Sequence, residues 1–204
     1  MIERLPLAAA EPTADQPRLA RTLVLVGLMG AGKTSVGKRL AAMLGVGFVD
    51  SDAAIEEAAG MTIPEIFSAF GEPAFRDGER RVIGRLLTER PGVLATGGGA
   101  FVEPRTRQEI KARATSIWLR ADVDLLYDRV RDRPGRPLLE VADPKAVLTD
   151  LNARRSPFYA EADVTVESRR GVTHEAMAKA IVEAVRAYDR TGCGGRAPTF
   201  EDAP

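Results

Sequence analysis

The chain has 204 residues, a length that suits one domain with a full hydrophobic core. Its hydrophobic content of 45% and charged content of 28% are ordinary for a globular protein. Because 29 basic residues balance 29 acidic ones and no apolar run is long enough to span a bilayer, we expect neither a nucleic acid nor a membrane as a partner.

The two ends of the chain differ in composition from its middle. Residues 1–20 lack the apolar core of a secretory signal, and their acidic residues argue against an organelle transit peptide. We expect a flexible N-terminal extension there and a disordered C-terminal tail over residues 191–204. The only cysteine, Cys193, lies in this tail, so we expect an incidental exposed thiol. The lack of any intramolecular disulfide fits a reducing compartment, and we expect a cytoplasmic protein.

The first predicted strand, residues 23–26, leads into a loop that fits the pattern G-x-x-x-x-G-K-[ST]. Glycine lets the backbone amides approach a phosphate closely, and the helix that follows directs its positive end at the same anion. Lys33 can reach the β- and γ-phosphates, and the Thr34 hydroxyl can ligate Mg²⁺. A chance glycine-rich turn is the alternative, which the amphipathic helix after the loop disfavours. The predicted ATP-binding loop consists of Gly27, Leu28, Met29, Gly30, Ala31, Gly32, Lys33, Thr34 and Ser35.

Short strands alternate with helices along the rest of the chain. The further predicted strands are residues 46–50, 93–95, 115–119 and 163–167. The helix after the loop ends at Gly45, and the later predicted helices are residues 53–59, 63–70, 72–90, 104–113, 123–131, 144–155 and 173–188. This alternation indicates βαβ units, and hence an α/β fold with three layers (α/β/α) around a five-stranded parallel sheet.

Acidic residues and glycines follow two of these strands at their carboxyl ends, where parallel sheets bind ligands. Asp50 and Asp52 point to the same side of an extended segment, so one can hold the hydration shell of Mg²⁺ while the other contacts a substrate hydroxyl. The alternative is that they cap the next helix. Gly97, Gly98 and Gly99 indicate a backbone that approaches a ligand closely and donates N–H groups to it, although a permissive turn would also use glycine.

Several arginines are candidates for holding an anionic substrate, although a solvated surface charge is the alternative for each. Arg76 precedes Glu79 by three residues, so the two share a helix face, and a guanidinium held by a carboxylate is a rigid fork for a substrate carboxylate. Arg136 lies in a loop punctuated by proline and glycine, where a mobile lid would carry a phosphate-stabilising charge. The further candidates are Arg154, Arg155, Arg169 and Arg170.

His174 is the only histidine, and we interpret it as structural and exposed because it lies far in sequence from every motif. On this interpretation we exclude acid–base catalysis by histidine and a zinc site. The lone cysteine likewise argues against a Cys–His nucleophile.

Taken together, these motifs resemble the shikimate kinase family, within the class of P-loop kinases that are similar to nucleoside monophosphate kinases. The resemblance covers residues 22 to about 189. The motifs that carry it, in chain order, are GLMGAGKTSVG at 27–37, DSD at 50–52, FRDGE at 75–79, TGGGA at 96–100, RPLL at 136–139 and RRSPFY at 154–159. A P-loop alone is common to many unrelated proteins, whereas the set of motifs is specific.

The resemblance implies a P-loop kinase domain over residues 21–190 with a mobile lid at about 131–143. It implies ATP-dependent phosphorylation of a shikimate hydroxyl, giving shikimate 3-phosphate and ADP in chorismate and aromatic amino-acid biosynthesis. Mg²⁺ would be the cofactor, ATP and shikimate the small-molecule partners, and a monomer the expected state. The implied catalytic residues are Lys33, Asp52 and Arg136.

The resemblance also implies roles for the remaining candidates. Thr34 and Asp50 would bind the metal. Arg136 would close over the phosphoryl group, while Arg129 (or Arg131, if the alignment shifts by two) would face adenine together with Arg169 and Arg170. The implied shikimate-binding residues are Asp52, Arg76, Gly97, Gly98, Gly99 and Arg155.

Three other functions stay open at this point. Another small-metabolite kinase, such as a gluconate kinase, would share the fold, and gluconate also has a carboxylate. A non-catalytic nucleotide-binding protein is disfavoured because Lys33, Asp50 and Arg136 are all present. A P-loop protein that binds nucleic acid is disfavoured by the lack of a basic stripe.

Overall fold

A computed structural model describes residues 18–131 and 142–201. Within these residues the strands are β1 (Arg18–Leu19), β2 (Thr22–Val26), β3 (Phe48–Asp50), β4 (Val93–Ala95), β5 (Ala114–Arg120), β6 (Val164–Glu167) and β7 (Phe200–Glu201). Five of them form a parallel sheet in the order β3–β4–β2–β5–β6, which confirms the predicted sheet. Every residue of the central strand β2 is buried, because helices cover both faces of a parallel sheet.

Seven α-helices connect the strands in the described part of the chain. They are α1 (Lys33–Leu44), α2 (Ser51–Ala59), α3 (Ile63–Leu86), α4 (Pro104–Arg113), α5 (Val123–Val130), α6 (Pro144–Tyr159) and α7 (His174–Arg190). Gly45 ends α1 in the left-handed conformation, with its N–H directed at the last carbonyls of the helix. None of the helices in residues 18–131 and 142–201 combines the length and apolar character that a bilayer crossing requires.

Helix α3 consists of two helical segments that meet at Gly71, as the sequence predicted. Gly71 has φ 76° and ψ 172°, far from helical values, so it interrupts the helix between its first and second segments. Thr62 and Glu65 form the predicted capping box at the start of α3. The second segment ends at Leu86, four residues earlier than residue 90 of the prediction.

Helix α6 is one turn longer than the predicted helix 144–155. The prediction ended the helix before Ser156-Pro157, because proline has no N–H to donate and crowds the preceding turn. In the structure the helix continues through Pro157 to Tyr159. The residue that ends it, Tyr159, is only 1% exposed, so burial of its ring stabilises the additional turn.

The C-terminal segment folds back on the domain, so the prediction of a disordered tail is wrong for residues 191–201. A 3₁₀ turn at Cys193–Gly195 reverses the chain, and β7 then pairs antiparallel with β1. Cys193 is 3% exposed, which corrects the prediction of an exposed thiol, and burial raises the pKa of that thiol. Residues 18–20, which were expected to belong to the flexible extension, contain β1.

Candidate active site

The glycine-rich loop after β2 has the backbone that the P-loop pattern predicts. Gly27, Gly30 and Gly32 have φ values of 135°, 82° and 95°, which side chains disfavour. A Cβ at Gly27 would lie 2.8 Å from the Leu119 carbonyl oxygen, so the loop is seated against the end of β5. The Lys33 ammonium donates to the carbonyls of Gly27 (2.8 Å) and Leu28 (3.0 Å), which holds it across the start of the loop.

A cavity of about 340 Å³ opens above this loop at the carboxyl ends of β2, β3 and β4. Met29 to Ser35 line one wall, and the aspartates after β3 and the first two glycines after β4 line another. The three motifs that the sequence places at strand ends therefore meet in one cavity. The further lining residues are Val36, Thr96, Arg129, Ser168, Val172, Thr173, His174 and Met177.

Two oxygen ligands of the kind that Mg²⁺ prefers lie together in the cavity. The Thr34 hydroxyl donates to Asp50 Oδ2 at 2.8 Å. Asp50 Oδ1 also accepts from the Asp52 N–H at 3.1 Å, so the carboxylate caps α2 and the capping interpretation is confirmed. The role of Asp50 as a metal ligand stays a prediction. No group of three or more His, Cys, Asp or Glu in the described residues could hold a metal by itself. The donor set thus fits an ion that keeps several waters and takes the rest of its ligands from phosphates.

Asp52 lines the same cavity as Asp50. Burial raises the pKa of its carboxyl, and the neighbouring Asp50 raises it further, while Lys33 and Arg76 pull it down. A Cβ at Gly97 would lie 2.6 Å from Asp52 Oδ1, so only glycine lets the backbone come this close to the carboxylate.

All three glycines after β4 lie close to side chains of the site. At Gly98 a Cβ would lie 3.3 Å from Arg155 Nη1, and at Gly99 it would lie 2.5 Å from Arg76 Nη2. The backbone of these glycines thus approaches site side chains closely, while the predicted approach to a ligand stays a prediction. The Gly97 N–H donates to Ser51 Oγ at 3.2 Å, so this amide already has a partner within the protein.

Arg76 and Arg155 line a second depression, which adjoins the first across the glycines. Arg76 Nη1 donates to Glu79 Oε2 at 2.7 Å, and its Nε and Nη2 donate to Glu72. Burial disfavours the charge of Arg76, but the pairing with Glu79 and Glu72 outweighs burial and raises its pKa. The predicted rigid fork is therefore present. The other residues that line the depression are Pro73, Gly99, Val102, Glu103 and Pro104.

Glu79 is a buried carboxylate, only 1% exposed, whose importance the sequence indicated through its spacing from Arg76. Burial raises its pKa although Arg76 acts in the opposite direction, and the negative charge of Asp52 raises it further. Its Oε1 has no hydrogen-bond partner among the described residues and lies 3.2 Å from the position of a Cβ at Gly97. Glu79 therefore connects the fork of Arg76 with the Asp52 side of the site.

The far end of the first cavity differs from the prediction. Arg129 lines it and donates to Ser168 Oγ (3.0 Å) and the Gly30 carbonyl (3.3 Å), whereas Arg131 pairs with Asp128. Arg169 and Arg170 are exposed and are not among the cavity's described lining residues. The guanidinium of Arg170 instead forms an ion pair with Asp128.

Residues that the sequence analysis did not select take the place of those two arginines. Ser168, Val172 and Thr173 line the cavity, followed by His174 and Met177 on the first turn of α7. His174 is exposed, as expected, and it borders the cavity although it lies far in sequence from every motif. Its position directly after the loop that follows β6 was the available signal, because that loop also lies at the carboxyl edge of the sheet.

Two predicted elements cannot be compared with the structure. Arg136 and almost all of the expected lid at about 131–143 lie outside the described residues.

Arg154 is exposed and pairs with Asp150, so of the two adjacent arginines only Arg155 lines the second depression.

Comparisons with known proteins agree with this geometry. The family model described as "Shikimate kinase" matches residues 29–186, which is more than half of the chain. A shikimate kinase of Paramagnetospirillum magneticum is 56% identical over 171 residues, covering 84% of this chain and 87% of that protein.

Solved structures give the same relation. A shikimate kinase from Acinetobacter baumannii, solved in complex with shikimate, superposes with a TM-score of 0.78 at 40% identity, over 82% of this chain and 93% of that one. A gluconokinase from Sinorhizobium meliloti superposes with a TM-score of only 0.51 at 20% identity, over 85% of this chain and 99% of that one. The second likeness shows a shared fold alone.

Proposed function

The chain belongs to the shikimate kinase family, and from that premise we propose that it transfers the γ-phosphoryl group of ATP to a hydroxyl of shikimate. The products are shikimate 3-phosphate and ADP, and the reaction serves chorismate and aromatic amino-acid biosynthesis. The observation that carries the proposal is a pair of adjoining pockets, one built on a phosphate-binding loop and the other on two arginines, with the Gly97–Gly99 backbone between them.

The first pocket is suited to the phosphates of ATP. The loop from Gly27 to Ser35 supplies backbone N–H groups, and α1 adds its positive end. Lys33 is held at the start of the loop, from which its ammonium can shift onto the β- and γ-phosphates. Phosphoryl transfer needs positioning and charge stabilisation more than covalent chemistry from the protein, and these groups supply both.

Thr34 and Asp50 are the residues that would hold Mg²⁺, since their oxygen atoms already lie 2.8 Å apart beside the phosphate loop. The chemistry that Mg²⁺ would supply there is neutralisation of part of the negative charge on the phosphates of ATP. Asp50 also caps α2 and is thereby fixed in orientation for this role.

The second pocket is suited to the carboxylate of shikimate. Arg76 and Arg155 line it together, and Glu79 and Glu72 hold Arg76 in one orientation. With the carboxylate anchored by the two guanidinium groups, a ring hydroxyl is directed past the glycines toward Asp52. Asp52 accepts a hydrogen bond from that hydroxyl and orients it for attack on the γ-phosphorus.

Two more arginines complete the proposed site. Arg136, in the lid, closes over the transferring phosphoryl group and stabilises its charge. Arg129, held by Ser168 and the Gly30 carbonyl, faces the adenine end of the nucleotide.

We also propose that the enzyme acts as a monomer in the cytoplasm. One chain supplies the lining of both pockets, so the site needs no partner copy. Size-exclusion chromatography with light scattering at micromolar concentration tests the monomer, and a stable dimer would contradict it.

The proposed function is tested by measuring ADP release with saturating ATP and Mg²⁺ against a panel of acceptors. Shikimate should support turnover, while gluconate and nucleoside monophosphates should give rates at least a hundredfold lower, on the order of what unpaired site groups cost. Turnover of gluconate at a rate equal to that of shikimate would favour the alternative kinase.

A further inference from the structure

Tyr159 is a buried residue whose hydroxyl reaches the site although the reaction does not require it. It ends α6, its side chain is 1% exposed, and its hydroxyl donates to the Gly98 carbonyl. Arg155 precedes it by four residues, so the two side chains lie on the same face of the helix. Tyr159 therefore joins the helix that carries one carboxylate-binding arginine to the middle glycine of the loop after β4.

Gly98 is the point where the two pockets meet. A Cβ at this position would lie 3.3 Å from Arg155 Nη1 on one side. On the other side it would lie 3.7 Å from the Gly27 carbonyl oxygen and 3.8 Å from the Met29 nitrogen, both in the phosphate-binding loop. A shift of Gly98 would thus change the distance between Arg155, in the pocket of the acceptor substrate, and the phosphate-binding loop.

The ring of Tyr159 is itself held in place. Its centroid lies 5.9 Å from that of Trp118, with 38° between the planes. Trp118 Cδ1 in turn lies 3.3 Å from the position of a Cβ at Gly27, so the same aromatic pair supports the start of the phosphate-binding loop. Burial raises the pKa of Tyr159 to about 12, and its hydroxyl therefore stays a donor throughout the physiological pH range.

We propose that Tyr159 is a positioning residue, which sets the distance between the carboxylate-binding arginines and the phosphate-binding loop by holding Gly98 and Arg155. It touches neither the reacting hydroxyl nor the phosphates, and it acts through these two residues. The inference rests on the proposed function, because it assumes that the second pocket binds the acceptor carboxylate.

The first test compares Tyr159→Phe with Tyr188→Phe, a matched loss of a hydroxyl far from the site. The Tyr188 hydroxyl donates to Asp163, directly before β6, and neither residue is among the described lining residues of the two pockets. Tyr159→Phe should raise KM for shikimate about three- to ten-fold, as expected for one lost hydrogen bond, and leave KM for ATP within about two-fold. Tyr188→Phe should lower Tm without moving either KM. Equal KM effects of the two variants would overturn the inference.

The second test asks whether Tyr159 acts through Arg155. Shikimate binding is measured by calorimetry for Tyr159→Phe, Arg155→Ala and the double variant. The double variant should bind only slightly more weakly than Arg155→Ala, because the group that Tyr159 positions is already gone. Fully additive losses would overturn the inference.

The two proposals fail in distinguishable ways. A wild-type enzyme that does not phosphorylate shikimate would overturn the proposed function and this inference with it. An active wild-type enzyme with an unaltered KM in Tyr159→Phe would overturn this inference alone.

Discussion

At the scale of single residues, the two aspartates after β3 differ because their surroundings differ. Asp50 is paired with the Thr34 hydroxyl and the Asp52 N–H, which suits a metal ligand. Asp52 is packed beside Gly97, and burial raises its pKa. A carboxylate that is partly desolvated is a stronger acceptor for a hydroxyl proton, so we propose separate roles for these two acids.

The raised pKa of Asp52 predicts an effect of pH on stability in the metal-free, nucleotide-free protein. An acid whose pKa is higher in the folded state than in the unfolded state destabilises the fold once it ionises, so stability is lost as pH rises through the folded pKa. Asp52→Asn should therefore raise Tm at pH 8, and the gain should shrink as pH falls toward the ordinary aspartate value of about 3.9.

The matched control for this experiment has the opposite sign. The hydrogen bond from Arg80 lowers the pKa of Asp77, so the ionised carboxylate stabilises the fold above the ordinary aspartate pKa. Asp77→Asn should therefore lower Tm at pH 8, and this loss should shrink only below about pH 3.9, as pH falls through the lowered pKa of the folded state. Thermal unfolding in EDTA measures both variants. A lower Tm for Asp52→Asn at pH 8 would contradict the assignment of Asp52 as a partly desolvated acid with a raised pKa. In kinetic assays Asp52→Asn should be severely impaired yet above Asp52→Ala, because asparagine still accepts a hydrogen bond.

The arginine pair predicts how the acceptor is recognised. Arg76→Ala or Arg155→Ala should raise KM for shikimate about ten- to a hundred-fold, since a hydrogen bond to a charged group contributes about 1.5–3 kcal/mol. Arg→Lys should rescue only in part, because lysine lacks the planar fork. Arg154→Ala is the control, as that neighbour points away and pairs with Asp150. Equal turnover of methyl shikimate and shikimate would contradict the prediction that these arginines bind the substrate carboxylate.

The sequence permits prediction of these residues because each motif has a local spacing that chemistry constrains. The Arg76–Glu79 pair follows from helical periodicity, and the phosphate-binding loop follows from its glycines. The contact of Tyr159 with Gly98 joins residues 61 apart in sequence, so no local pattern reveals it.

At the scale of elements, the first turn of α7 is the part of the site that the sequence analysis missed. Thr173 caps this helix by accepting from the Ala176 N–H, and the helix start then lies beside the cavity. The arginines just before it were expected there instead, since charge is easier to recognise in a sequence than the direction in which a loop turns. The loop directs Ser168 inward and leaves Arg169 and Arg170 exposed.

This placement predicts a role for His174 in nucleotide affinity. His174→Ala should raise KM for ATP by about two- to five-fold, corresponding to the loss of part of one side chain's contact area, and leave KM for shikimate unchanged. Lys179→Ala, an exposed position on the same helix that pairs with Glu175, is the control. Initial rates at varied ATP decide the matter. An effect on shikimate KM, or none on either substrate, would place His174 outside the nucleotide pocket.

At the scale of the whole molecule, the C-terminal segment packs against the amino ends of β5 and β6, whereas the site lies at the carboxyl ends of the strands. Arg196 donates to Asp163 and to the Tyr188 hydroxyl, while Thr199 and Phe200 donate their N–H groups to Asp189. This segment looks disordered in sequence because it is rich in glycine. Its stability comes from long-range contacts: Cys193 and Phe200 are buried, and Arg186 lies over the Phe200 ring.

These contacts predict that a substitution in the C-terminal segment lowers stability and leaves substrate binding unchanged. Arg196→Ala should lower the free energy of unfolding by about 1–3 kcal/mol, because it leaves the buried Asp163 carboxylate without its cation. Both KM values should stay within about two-fold, since the segment lies far from the two pockets. Arg190→Ala, at the exposed end of α7, should change stability by a few tenths of a kcal/mol. Denaturant unfolding and steady-state assays test this, and a raised KM for shikimate in Arg196→Ala would contradict the separation.

The central claim is that the adjoining pockets bring the γ-phosphoryl group of ATP to one hydroxyl of shikimate. Phosphorus and carbon NMR of the products tests it most directly. We expect one phosphomonoester, on the 3-hydroxyl of shikimate, formed in an amount equal to ADP. Lys33→Ala should form it about 10²–10³-fold more slowly, whereas Lys38→Ala, at an exposed position, should leave the rate unchanged. Release of inorganic phosphate without any shikimate phosphate, or a phosphate on a different hydroxyl, would contradict it.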